Sequence, residues 1–208
     1  MEVSVSPLPK SVRYIRKKMD NEALTPAEIT QIMNDIYRGS ISPVEISAWL
    51  TTLYINGMSL DEVAALAVAI VGTGDHIEFE RAPVFDFHSM GGVPGNKITP
   101  IVVSICAAVG IMIPKTSSRA ISSACGTSDF VEVFCPVEIS GARLKEIGET
   151  VGGAFAWGGS MYIAPVDETI IEVEYQLGIN PRPQMLASIL GKKLAIGVDY
   201  LLIDIPMG

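Results

Sequence analysis

Two stretches of this chain hold the residue types that can do chemistry. The first is FDFHSMGGVPGNKITP, residues 85–100. An apolar run ending at Phe87 predicts a strand, with His88 and Ser89 at its carboxyl end, where open α/β sheets bind ligands. Gly91, Gly92 and Gly95 let the backbone turn tightly and bring N–H groups up to an anion. Lys97 adds a positive charge, and Thr99-Pro100 opens a helix whose amino end favours phosphate. Taken alone, these residues also fit a glycine-rich turn with a structural histidine.

The second stretch is PKTSSRAISSACGTSDFVEV, residues 114–133. Thr116, Ser117, Ser118, Ser122, Ser123, Thr127 and Ser128 surround Arg119, and Gly126 precedes Thr127 at a predicted helix start. Hydroxyl donors, a guanidinium and a helix amino end together make an anion site. A polar loop is the plain alternative. It does not account for two such loops, each following an apolar strand. Neighbouring strand ends of one sheet converge on one crevice, so the pair points to phosphate.

The elements that must position these loops follow from the pattern. Residues 1–75 predict a helical domain. Thr25-Pro26-Ala27-Glu28, Ser42-Pro43-Val44-Glu45 and Ser59-Leu60-Asp61-Glu62 repeat one capping device, with Gly39 and Gly57 placed as helix-ending glycines. Apolar stripes follow at helical spacing: Ile29, Ile32, Met33 and Ile36, then Ile46, Trp49, Leu50 and Leu53. Residues 12–19 form a basic amphipathic helix with a solvated charged face.

A linker is expected at 76–83. From residue 84 apolar runs alternate with helical patterns: strands at 84–87, 111–113, 154–157 and 200–205, helices at 100–109, 142–151 and 183–195. Such alternation predicts a mostly parallel sheet. The expected fold class is therefore α/β: an N-terminal all-helical domain, then the first part of a helix-flanked, mostly parallel sheet domain over 84–208. Asp167 and Glu168 are expected in a turn, and Trp157 at a strand end. The last run, YLLIDIPMG, is a buried strand met by the end of the chain, which predicts truncation.

Composition narrows the function. Of 208 residues, 49% are hydrophobic and 18% charged, which specifies a packed core rather than disorder. A net charge of −8 and no basic stripe argue against a nucleic-acid polymer as partner. Three cysteines without CxxC spacing suggest neither a disulfide framework nor a zinc site, so no metal is expected. MEVSVSPLPK lacks the apolar core of a signal peptide, and the greasy stretch 100–114 is too short to span a bilayer. The expectation is a cytoplasmic protein with no membrane partner.

HSMGGV followed by SSRAISSACGTSDFVE resembles the nucleoside phosphorylase family that includes thymidine and pyrimidine nucleoside phosphorylases. GGVPGNKIT, PKTSSRA, YINGM, AWGG and QMLASILGKK are similar to its archaeal AMP phosphorylase branch, so the resemblance spans essentially the whole chain. It implies phosphorolysis of the N-glycosidic bond of a nucleoside 5′-monophosphate. Inorganic phosphate is the co-substrate, no cofactor is needed, and a free base and a sugar 1-phosphate are the products.

Carried over residue by residue, the resemblance places phosphate on Ser89, Thr99, Ser117 and Thr127. It places the base on Ser188 and Lys192, four apart on one helical face, with His88 and Lys192 as the catalytic pair that stabilises or protonates the leaving base. Arg119 and Lys115 have two readings, structural braces or contacts to a 5′-phosphate. The pattern departs at two places. Phe87 stands where thymidine phosphorylases have a lysine, a charge that Lys97 is expected to supply. No arginine stands near 172–173, where the chain reads Ile171-Glu172-Val173-Glu174.

The resemblance also implies a homodimer through the helical domain, with Trp49 and Leu53 as interface positions. Three alternatives stand beside the AMP-like reading. They are a thymidine or pyrimidine nucleoside phosphorylase, a truncated non-catalytic fragment, and a phosphoribosyltransferase of the anthranilate type. The last would need its GTGG loop after a strand, whereas GTGD at 72–75 closes the helical region.

Overall fold

The computed structural model of the chain describes residues 9–89, 98–120 and 125–205. It opens with helices α1 (Lys10–Met19), α2 (Pro26–Tyr37), α3 (Pro43–Asn56) and α4 (Leu60–Val71). The three expected caps form. Glu28 accepts from the Thr25 N–H at 2.8 Å, Glu45 from the Ser42 N–H at 2.5 Å and Glu62 from the Ser59 N–H at 2.8 Å. Gly39 and Gly57 follow α2 and α3 at φ of 66° and 67°, where a Cβ would strain the turn. Glu62 does more than cap, because it also accepts from Lys18 Nζ at 2.9 Å and from the Leu24 N–H at 2.9 Å. Lys18, expected on a solvated face, is therefore buried and ties α1 to α4.

The remainder runs β1 (Phe85–Ser89), α5 (Ile98–Ala108), β2 (Ile113–Ser117), α6 (Thr127–Glu132), α7 (Gly141–Val151), β3 (Gly153–Trp157), a 3-10 turn (Gly158–Met161), α8 (Pro165–Leu177), α9 (Arg182–Ala195) and β4 (Tyr200–Asp204). Strand pairs β1–β4 and β2–β3 are parallel, and a parallel bridge between Val84 and Met112 joins them, giving the spatial order β4-β1-β2-β3. This is the α/β architecture expected. All four strands therefore point their carboxyl ends the same way, and α9 packs against α4 while α7 and α5 flank the strands.

Three details differ from expectation. β2 begins two residues late and runs through Lys115 and Thr116, polar positions that an apolar-run criterion passes over. Asp167 and Glu168 lie in the first turn of α8 rather than in a turn between elements, because Pro165 at its start is preset for a helix. β4 is an edge strand with Tyr200 and Leu202 exposed, not a buried one.

The core also divides differently from chain order. Ala164, Val166, Ile170 and Val173 of the α8 region and Ala187 of α9 share one cluster with Ile29, Trp49, Leu53 and Ile70 of the first four helices. Trp49 and Leu53 are fully buried in this core, so they are not interface positions. A smaller cluster of Phe87, Val103 and Ile113 seats α5 on β1 and β2. Among the described residues, no helix is long and apolar enough to cross a membrane.

Candidate functional site

The strand ends bring the two chemical stretches together. His88 and Ser89 close β1, and Ser117 closes β2. Ser117 Oγ lies 2.7 Å from Ser128 Oγ of α6, which locks the strand end to the start of that helix. Thr127 is the first residue of α6, and Thr99 lies in the first turn of α5, buried. Gly158 shows how close α9 comes: a Cβ there would lie 3.4 Å from the Lys192 Cδ and Cε atoms and 3.8 Å from the Ser117 carbonyl oxygen. Ser117 and Lys192 therefore approach one another from β2 and α9.

The loop between β2 and α6 is braced by charge. Asp129 accepts from the Ala120 N–H at 2.8 Å and from the Gly126 N–H at 2.9 Å. The Arg119 guanidinium donates to Asp129, Glu132 and Glu138 at 3.1, 2.6 and 2.8 Å and lies 4.7 Å over the Trp157 ring. Glu132 first, with Asp129 and Glu138, holds Arg119 firmly in its charged form. Its donors are directed to these carboxylates, which ties the loop to α6 and to Glu138. Gly126 is required by the crossing, since a Cβ would fall 2.7 Å from the Ser118 carbonyl oxygen and 2.7 Å from the Arg119 carbonyl carbon.

Beneath the strand ends lie two buried charge clusters. In one, Asp86 of β1 faces two lysines: Lys193 Nζ at 2.6 Å and Lys115 Nζ at 3.6 Å. Lys193 also donates to the Thr116 carbonyl oxygen at 2.8 Å and to Thr116 Oγ1 at 3.0 Å. In the other, Asp167 of α8 accepts from Lys192 Nζ at 2.5 Å, from Ser188 Oγ at 2.7 Å and from Gln184 Nε2 at 3.3 Å. Ser188 and Lys192 share a helical face, as their spacing predicts, and both are turned to Asp167.

These clusters set the protonation states. Burial, then Lys115, Lys193 and Lys192, push the His88 imidazole down to about 2, so it is neutral at physiological pH. Its Nδ1 is buried and has no hydrogen-bond partner among the described residues. Burial works against the Lys192 ammonium, but Asp167, Glu168 and Glu174 outweigh it and hold its pKa above the ordinary lysine value. Burial, reinforced by Asp167, raises the Glu174 carboxyl to about 8. Burial also raises Glu168.

Of the positions chosen from sequence, the structure brings together His88, Ser89, Ser117, Thr127, Ser188 and Lys192 around the strand ends. Ser89 donates to Asp204 of β4 at 2.7 Å. Lys115 is only 2% exposed and its ammonium faces Asp86. Lys97, Gly91, Gly92, Gly95, Ser122 and Ser123 lie outside the described residues.

Sequence reasoning missed Asp86, Asp167 and Lys193. Pro165 with two acidic residues just behind it was the available signal for Asp167, as a helix start. A groove of about 640 Å³ lies elsewhere, between Asp75–Glu78, the start of α7 and Tyr162. It holds none of the residues that the two stretches contribute. Among the described residues, no group of three or more His, Cys, Asp or Glu could hold a metal ion.

Comparison with known proteins follows from this geometry. Residues 12–74 match the helical bundle domain of a glycosyl transferase family, and residues 81–195 match its α/β domain. The chain is 49% identical over 208 residues to the AMP phosphorylase of Methanocella arvoryzae, 50% over 208 residues to that of Pyrococcus furiosus and 53% over 199 residues to that of Methanosarcina barkeri. These alignments cover 100%, 99% and 96% of this chain. They cover 41%, 41% and 39% of the relatives, so the chain spans about two fifths of their length. In fold, it superimposes with a TM-score of 0.78 on anthranilate phosphoribosyltransferase from Thermus thermophilus, at 24% identity, covering 92% of this chain and 57% of that one.

Proposed function

The chain belongs to the glycosyl transferase family whose helical bundle and α/β domains it matches, and on that premise we propose that it is the phosphate-binding part of a phosphorylase acting on an AMP-like nucleoside 5′-monophosphate. Phosphate attacks the sugar C1′, the base departs, and a sugar 1-phosphate forms. The observation that carries this reading is the meeting of the neighbouring β1 and β2 ends close to Lys192, with hydroxyls from both strands and two buried lysines on the one carboxylate of Asp86.

Ser89, Thr99, Ser117 and Thr127 position the phosphate, with Lys97 as a further donor. Positioning of this kind removes much of the entropic barrier to attack. His88 is neutral, so its part is to donate a hydrogen bond from an uncharged imidazole to the base rather than to deliver an imidazolium proton. Lys192, charged and buried, stabilises negative charge on the departing base, with Asp167 fixing its direction. Ser188 holds the base beside it. The first four helices and α8 close over the sheet and exclude water. Two copies of the chain associate through the helical layer, where Val44, Tyr54, Ile55 and Leu60 are exposed.

Two further readings each have an observation behind them. The first is a stretch that binds phosphate but turns nothing over by itself; the chain spans 41% of the length of the Methanocella arvoryzae relative. The fold neighbour favours a phosphoribosyltransferase. One assay separates them: the full chain is incubated with AMP and inorganic phosphate without Mg²⁺, and adenine release is measured. Phosphate-dependent adenine supports the proposal. Cleavage of thymidine but not AMP moves the substrate to the pyrimidine nucleoside class. Activity only with a pyrophosphorylated sugar and Mg²⁺ overturns the phosphorylase reading. Phosphate binding without turnover leaves the non-catalytic reading.

A further inference from the structure

We infer that Lys115 is a positioning residue of the anion site, the surplus member of a buried Lys115–Asp86–Lys193 cluster whose positive charge is held beneath the strand ends for a bound oxyanion. The inference rests on the reading of those ends as a phosphate site. It begins from a mismatch of charge. Asp86 is a single carboxylate, 2% exposed, and it faces two ammonium groups. Lys193 has the closer approach, at 2.6 Å against 3.6 Å for Lys115. The Asp86 Oδ1 atom that faces Lys115 already accepts from the Phe87 N–H at 2.6 Å. Lys193 and Asp86 thus make a balanced pair, and Lys115 is the cation left over.

A buried charge without a counter-charge works against folding far more than a surface charge does. Asp86, shared with Lys193, relieves it only in part. From β1 it faces Asp86 and a neutral His88. From α9 it faces Lys193, while Lys192 on the same helix has its own carboxylate in Asp167. Its remaining hydrogen bond is to the Thr116 carbonyl oxygen at 2.5 Å. Lys115 stands two residues before Ser117 on β2, so both side chains leave the same face, about 7 Å apart along the strand. An oxyanion seated on Ser117 adds a second negative charge to the one carboxylate, Asp86, that two lysines share among the described residues. Burial is the main cause that brings the Lys115 ammonium down to about 7, with Asp86 opposing and Lys193 reinforcing. Binding of an anion raises it again, and a proton is taken up.

Sulfate is the probe, because it stays a dianion across the whole range tested whereas phosphate itself titrates. Sulfate binding to the full chain is measured by titration calorimetry from about pH 6 to about pH 9. Affinity is expected to be highest at the acid end and to fall, up to about tenfold per pH unit, above about pH 7, with uptake of about one proton. His88 and Lys192 titrate outside this window; Glu174, raised to about 8, titrates within it, so the measurement is repeated in Glu174→Gln, where the slope is expected to persist.

Lys115→Met is expected to weaken binding at pH 6 and abolish the slope, while melting at the same temperature as the wild type or higher, because the Lys193–Asp86 pair remains. Lys115→Arg, charged at every pH, is expected to bind without the alkaline fall. A purely structural lysine gives the opposite pattern, a lower melting temperature with unchanged sulfate affinity. Sulfate binding that is independent of pH in the wild type, or a slope that survives in Lys115→Met, overturns the role of Lys115 and leaves the anion site standing. No sulfate binding at any pH overturns both.

Discussion

Asp167→Asn is the substitution through which the buried charges can be weighed. Asp167 is fully buried, and both of its oxygens are used: Oδ2 by Lys192 and Ser188, Oδ1 by Gln184. Asparagine has the same shape, but it carries no charge and turns a donor toward groups that are themselves donors. Lys192 then stays buried with only Glu168 and Glu174 near it, both biased toward their neutral forms by burial. Breaking a buried pair from one side costs about 3–5 kcal/mol. In a chain of this length that is a fall in Tm of roughly 6–20 °C.

Because Lys192 is held above its ordinary value of 10.5, the pair contributes fully below that pH and is lost only as pH rises through the higher folded value. The deficit should therefore be constant across the neutral range. Thermal unfolding of Asp167→Asn, Lys192→Met and the double variant at neutral pH reads it. The double variant, which leaves no orphaned charge, should recover at least about 1 kcal/mol relative to Asp167→Asn. A Tm within about 2 °C of wild type for Asp167→Asn, or no recovery in the double variant, refutes the claim that this carboxylate holds Lys192 in place.

Three other outcomes are expected. Gly126→Ala should cost about 1–3 kcal/mol in urea unfolding, because its Cβ meets the backbone of Ser118, Arg119 and Ala120 rather than a movable side chain; a neutral result contradicts the close crossing. Glu174 is raised from 4.5 to about 8, so its burial costs nothing below pH 4.5, becomes a growing penalty as pH rises from 4.5 to about 8, and is a constant penalty above that. Glu174→Gln should therefore gain roughly 1–3 kcal/mol at about pH 8 and almost nothing at about pH 4, seen as a pH-dependent difference in Tm. The His88 ring protons should show no inflection between about pH 4 and about pH 8 in an NMR titration, and an inflection near the ordinary histidine value contradicts a neutral, buried imidazole.

The parts of this molecule that the sequence announced were those governed by local rules. Thr25, Ser42 and Ser59 with their glutamates mark helix starts through bonds made within one turn, and Gly39 and Gly57 mark stops in the same way. The strand-then-glycine pattern around His88 and the hydroxyl run around Arg119 placed both halves of the candidate site, because each is a contiguous stretch. The charge network was hidden because its members meet only in the fold. Asp86, Lys115 and Lys193 come from β1, β2 and α9, and Asp167 reaches Lys192 across 25 positions of sequence. Lys115 and Thr116 also concealed β2, since they interrupt the apolar run that would have revealed it. Their burial is possible because partners come from elsewhere: the Asp86 carboxylate faces Lys115, and the Lys193 ammonium donates to Thr116. The joining of α8 and α9 to the first helices was hidden for the same reason. Val166, Ile170 and Ala187 look like any apolar helical stripe, and nothing local says which layer they face.

The central claim is that the ends of β1 and β2 hold one oxyanion. It is tested most directly by titrating the isotope-labelled full chain with inorganic phosphate and following backbone amides by NMR. Ser89, Ser117 and Thr127 should shift together along one binding curve, with Lys192 following and residues lining the Asp75–Tyr162 groove unmoved. Shifts confined to that groove, or separate curves for the β1 and β2 ends, would contradict the single site.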